Sequence, residues 1–159
     1  MGITHFDKVS GSNGVYVGAK GHEVEVIKKD GSITGNITGN VTGQALRSVA
    51  VTAKATTGEA IPAGATHVTV TSANANNIVI LPPPVPGTKI TLLNGATGYE
   101  LRSSAPATVS INGGKAANAE SAVDASTIVK VECVSTTAWI GSTISAAGVV
   151  GVLEVAAAT

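Results

Sequence analysis

Aromatic side chains are scarce in this 159-residue chain: one Trp, one Phe and two Tyr, 3% in all. Deep ligand pockets are usually walled by aromatic and large apolar groups, so that class of site is poorly supplied. The single cysteine, Cys133, excludes an intrachain disulfide framework and a cysteine-built metal cage. Charge is thin as well. Ten basic and ten acidic residues cancel, leaving no net field to steer nucleic acid or an anionic membrane. Eight of those twenty charges fall in the first thirty residues, so the remainder relies on hydroxyl coverage or burial to stay soluble. The uncharged window 134–153 holds six Ser or Thr and three Gly, which argues against a membrane-spanning helix. The opening MGITHFDKVS has no apolar h-region and reaches Asp7 early, unlike a secretory signal.

What is present is Val, Ile, Leu and Ala, with nineteen glycines and many Thr, Ser and Asn. That mixture suits short strands joined by tight turns. The most distinctive stretch is the tetrapeptide run at 31–43, GSITGNITGNVTG. Read as a strand, one face carries Ile33, Ile37 and Val41 alternating with glycine, and the other carries only Ser, Thr and Asn. Thirteen extended residues span roughly 43 Å, long for a strand in a compact domain. Such a ridge needs a foreign surface or a sister chain to cover it.

Along the chain, 1–46 reads as an extended N-terminal arm with strand candidates at 15–17 and 23–26. Residues 47–145 read as an antiparallel β-sandwich or barrel-like domain, and 146–159 as a C-terminal strand or tail. Alternation and β-branched residues predict strands at 49–54, 67–72, 78–81, 89–93, 99–103, 108–111, 127–135 and 138–143. The segment 88–102 reads as a hairpin, with Ile90 and Leu92 meeting Tyr99 and Leu101 across the Asn94-Gly95 turn. LPPPVP at 81–86 reads as a rigid polyproline-like crossover, and 116–125 as one short helix.

A search for chemistry yields no catalytic constellation. His5, His22 and His67 are scattered; His67 shares a strand face with Thr69 and Thr71, a solvated or interface position. Cys133 shares a face with Val129 and Val131, which predicts a buried, inert thiol. Gly113-Gly114-Lys115 lacks the upstream Gly and the following Ser or Thr of a phosphate loop, having Val109 and Ala116 there instead. Asp7, Glu23, Glu25 and Asp30 lack calcium-loop spacing. No metal site and no cofactor is expected, and the chain is not expected to be an enzyme.

The stretch NNIVILPPPVPGTKITLLNGATGYELRSSAPATVSINGG, continuing to Trp139-Ile140-Gly141-Ser142, resembles the β-rich domain of head decoration (cement) proteins and short head fibres of tailed bacteriophages. The opening MGITHFDKVSGSNGVY resembles the capsid-anchoring start of such proteins. The resemblance implies a homotrimeric virion protein on the outer surface of the capsid, bridging major capsid subunits and stabilising the expanded head. On that reading Phe6, Val15, Tyr16, Val24, Val26, Ile33, Ile37 and Val41 are the expected capsid or inter-subunit contacts. The expected partners are the major capsid protein and the chain itself, with neither nucleic acid nor membrane. The alternatives are a fibre or receptor-binding protein that recognises a host glycan, and a small hydrolase.

Overall fold

The computed structural model describes residues 15–17 and 24–27 as backbone, and residues 47–158 with their side chains. The chain divides into two compact units, Met1–Gln44 and Ala45–Thr159. In the first, β1 (Val15–Val17) and β2 (Val24–Ile27) pair antiparallel, with Tyr16 opposite Glu25 and Val17 opposite Val24.

The second unit is all-β, and none of its described residues is helical. Its strands are β3 (Ser48–Thr52), β4 (Glu59–Ala60), β5 (His67–Thr71), β6 (Ile78–Ile80), β7 (Lys89–Asn94) and β8 (Tyr99–Arg102). They continue with β9 (Ser110–Ile111), β10 (Glu120–Val123), β11 (Ile128–Ser135), β12 (Ala138–Ile144) and β13 (Val150–Val152). The larger sheet has the order β13-β12-β11-β7-β5-β3, with β9 alongside β12; the smaller has the order β10-β8-β6-β4.

The path between the sheets differs from the antiparallel arrangement expected. From β3 to β8 the chain passes from one sheet to the other at every strand. Strands two apart therefore lie side by side and run the same way: β3, β5 and β7 are parallel in the large sheet, and β4, β6 and β8 in the small one. This is a short two-faced coil in which one turn takes about twenty residues, the low end of β-helical repeats. From β10 onward the direction reverses, and β8–β10, β7–β11, β11–β12 and β12–β13 are antiparallel.

The coil also separates the expected 88–102 hairpin, because β7 and β8 belong to different sheets. Ile90, Leu92, Tyr99 and Leu101 still meet, not across a turn but as facing walls of one core. That core joins Val68, Val70, Val129, Val131, Cys133 and Trp139 of the large sheet to Val79, Leu101 and Val123 of the small one. Burying each aliphatic side chain contributes about 1.5–3 kcal/mol. The proline segment carries the chain from β6 in the small sheet to β7 in the large one, as a stiff crossover should; Gly87, at φ 87°, then donates its N–H to the Cys133 carbonyl.

The predicted helix at 116–125 is instead a turn followed by β10. Asn118 adopts a left-handed φ of 61°, which ends helical propagation before it can begin. A segment this short has too few turns to hold a helix unaided, and pairing with β8 satisfies its backbone instead.

Candidate interaction surface

Alternation along β11 turns Val129, Val131 and Cys133 inward and Lys130, Glu132 and Val134 outward. Register then determines which outward groups become neighbours. Leu93 on β7 is opposite Ile128 on β11, Ile128 opposite Ile144 on β12, and Ile144 opposite Val150 on β13. Directly opposed side chains share a face with Cβ atoms about 5 Å apart. Four adjacent strands thus contribute one unbroken aliphatic row, Leu93–Ile128–Ile144–Val150, on the outside of the sheet. Leu93 and Val150 are exposed, and Ile128 and Ile144 half-buried. The next row is polar over most of its length: Ser48, His67, Thr91, Lys130 and Ser142, ending at Val152. Farther along, Lys89 and Glu132 pair at 3.4 Å beside Ile140. The face therefore grades from charged to aliphatic towards β13.

Behind β13 the C-terminal segment crosses to the small sheet. Leu153 is fully buried, Glu154 accepts the Ala122 N–H at 2.7 Å, and Ala157 exchanges backbone hydrogen bonds with Glu120. Asn112 holds the start of this crossing. Its Nδ2 donates to the carbonyls of Gly141 (3.1 Å) and Leu153 (2.5 Å), and its Oδ1 accepts the Gly141 N–H (2.8 Å). Asn112 and Gly113 both carry positive φ, 50° and 86°, so the GGK segment is a tight hairpin turn closing Ile111 on Gly114. A Cβ on Gly114 would collide with the Ala156 backbone.

Comparison with family models, curated proteins and solved structures finds no match to this chain.

Of the residues singled out in the sequence, Val15 and Tyr16 lie on β1, and Val24 and Val26 on β2. Phe6, Ile33, Ile37, Val41 and the 31–43 run lie outside the described residues. The row Leu93–Ile128–Ile144–Val150 escaped sequence reasoning. Each of its strands is legible from alternation, but the row exists only once register is known. Val149-Val150 after Gly148 was the one local sign.

The chemistry-bearing side chains are dispersed. His67 is half-buried beside β3, with Nδ1 3.3 Å from Thr66 Oγ1. Cys133 is buried and donates to the Ser135 carbonyl, and burial pushes its thiol pKa up. The smaller sheet gathers Glu100, Glu120 and Glu154. Burial raises the Glu100 pKa first, and the carboxylates of Glu120 and Glu154 add to it. Glu120, itself buried, is ion-paired with Arg102. Among the described residues no three His, Cys, Asp or Glu side chains converge as a metal site. An open cleft of about 360 Å³ is lined by Asp124, Thr127, Thr143, Ser145 and Glu154, with Ala122 and Val152. Both aromatic rings of this unit, Tyr99 and Trp139, are buried in the core, and neither is available as a stacking platform.

Proposed function

We propose that this chain is a non-enzymatic structural protein of a tailed-phage virion, which binds the outside of the head and bridges major capsid subunits. Residues 1–46 form the contact arm, engaging the shell by strand addition, and the β-domain stands outward as part of a trimer. The observation that carries the assembly reading is the outward aliphatic row Leu93–Ile128–Ile144–Val150, continued by the exposed Val149 and Val152, on a domain with few charges. A surface of that kind is recognised by other surfaces rather than by small molecules. The capsid itself enters through the resemblance of 76–142 to head decoration and head-fibre domains. A protein that binds only the expanded lattice stabilises it by mass action, and three linked copies add avidity.

Purified protein mixed with undecorated expanded heads should pellet with them, and deletion of 1–46 should abolish pelleting. Absence of co-sedimentation overturns the capsid reading; binding that survives the deletion overturns the arm assignment.

A second reading, glycan adhesion by a fibre protein, draws on the cleft that presents Asp124 and Glu154 among three hydroxyls. It is weakened by the burial of Tyr99 and Trp139, since sugar faces commonly stack on exposed rings. A sub-millimolar hit on a glycan array, lost on D124A, would favour it.

A further inference from the structure

Sheet edges are normally defended by shortness, charge, proline or a covering segment, because their unpaired N–H and C=O groups otherwise recruit another strand. Two edges of this domain follow the rule. At β10 the Glu154 carboxylate and Ala157 occupy the backbone groups. At β4 only two residues are present, next to the Lys54–Glu59 ion pair. β13 does neither. It reads Val150-Gly151-Val152, uncharged, with the two valines 70% and 81% exposed, and among the described residues it pairs with β12 alone.

The hydrogen-bond phase of that edge follows from the turn before it. Ser145 donates to the Val149 carbonyl at 3.0 Å. Bonded and non-bonded pairs alternate in an antiparallel ladder, so Thr143–Gly151 is the next bonded pair, and Ile144–Val150 and Ser142–Val152 are non-bonded. The N–H and C=O of both Val150 and Val152 therefore point away from β12, at the open edge. The side chains of the same two valines lie on the outer face, where Val150 ends the aliphatic row.

We infer that β13 pairs antiparallel with β13 of a second copy across a two-fold axis at Gly151, joining the two seven-stranded sheets into one. The segment is self-complementary about that glycine: Val150 falls opposite the partner's Val152, and Val152 opposite the partner's Val150. Both pairs are bonded pairs, so four hydrogen bonds satisfy all four outward-pointing groups of each copy. Gly151 meets its own copy in the close, non-bonded position. On the outer face the row Leu93–Ile128–Ile144–Val150 runs on into the partner's Val152, and four valines meet at the seam. That continuity selects a second copy as the occupant. An unrelated strand would satisfy the backbone but would not need a palindrome, and would not extend the row from both sides. If the arms hold three chains together, this pairing makes the assembly six.

The test uses the full chain and sedimentation mass at micromolar concentration. The wild type should have an even multiple of the 15.6 kDa protomer mass. V150K/V152K places lysine opposite lysine in both pairs and should halve that mass. V150K/V152E places lysine opposite glutamate in both pairs and should restore it. Both positions are exposed, so each variant should keep the wild-type circular dichroism. A wild-type mass that is an odd multiple, including one, overturns the pairing. So does V150K/V152K at full mass, and V150K/V152E failing to restore it overturns the register. Binding to heads plays no part in the readout, so failure of the capsid reading and failure of this one are separately visible.

Discussion

Replacing Asn112 removes a carboxamide that stands in for a peptide group. β9 and β13 flank different halves of β12, and the Asn112 side chain fills the ladder between them, serving Gly141 N–H, Gly141 C=O and Leu153 C=O. N112A leaves all three without their partner in a half-buried position. One buried unsatisfied group costs about 1–3 kcal/mol. With three groups, and water able to enter the space that the half-buried carboxamide vacates, the expected loss is about 3 kcal/mol. Alanine also inherits the left-handed φ of 50°, worth about another 1–2 kcal/mol. N112G separates the two contributions, since glycine accepts that φ freely. The N112G loss measures the amide, and the further loss in N112A measures the backbone. N112D keeps an acceptor for Gly141 N–H but turns a carboxylate oxygen towards two carbonyls, so it should be no better than N112G at neutral pH. Urea unfolding followed by the fluorescence of Trp139, the only Trp and fully buried beside this site, reports each value. A midpoint for N112G within about 0.5 kcal/mol of wild type, the range of a neutral surface change, would refute the ladder-bridging role.

Three further outcomes follow from side chains in and around the core. E120A strips the partner from Arg102 in a site where both side chains are largely buried, and should cost about 3–5 kcal/mol in urea unfolding; a loss under about 1 kcal/mol, the worth of an exposed pair, contradicts the pairing. The Glu100 pKa is raised by burial and by Glu120 and Glu154, so the folded chain holds that proton more tightly than the unfolded one. The associated stability is complete below the ordinary glutamate range and is lost as pH rises through the raised value. E100Q should therefore be more stable than wild type at neutral pH, on the order of 0.5 kcal/mol as for a relieved like-charge pair. The gain should vanish in acid, and a gain independent of pH contradicts the assignment. Cys133, buried and with its thiol pKa pushed up, should resist a thiol reagent in the native protein and react fully in denaturant; rapid native labelling contradicts its core position.

The strands were legible because alternation is a local property. HVTVT at 67–71 shows its buried Val68 and Val70 and its outward His67, Thr69 and Thr71 directly, and the structure keeps that division. Ile128–Ser135 and Ala138–Ile144 fall within one residue of their predicted bounds for the same reason. Partnership was not legible. Asn94-Gly95 between two alternating runs is a strong hairpin sign, yet Gly95 bonds to Val70 and Ser126 while the chain crosses to the other sheet. Gly98 allows that crossing, since a Cβ there would sit 2.7 Å from the Val123 carbonyl oxygen. The 116–125 segment misled because its composition favours helix while its hydrogen bonds come from β8, a strand some twenty positions upstream. The aliphatic row was hidden for the same reason: Leu93, Ile128, Ile144 and Val150 become neighbours only through three cross-strand registers.

Saturation binding to expanded heads tests the proposed role most directly. Undecorated heads titrated with the full chain and weighed should take up protein to a plateau in multiples of three per local three-fold site, and should then resist heating better than bare heads. Heads that gain no mass, or gain it without a plateau and without added thermal resistance, would contradict the role proposed for this chain.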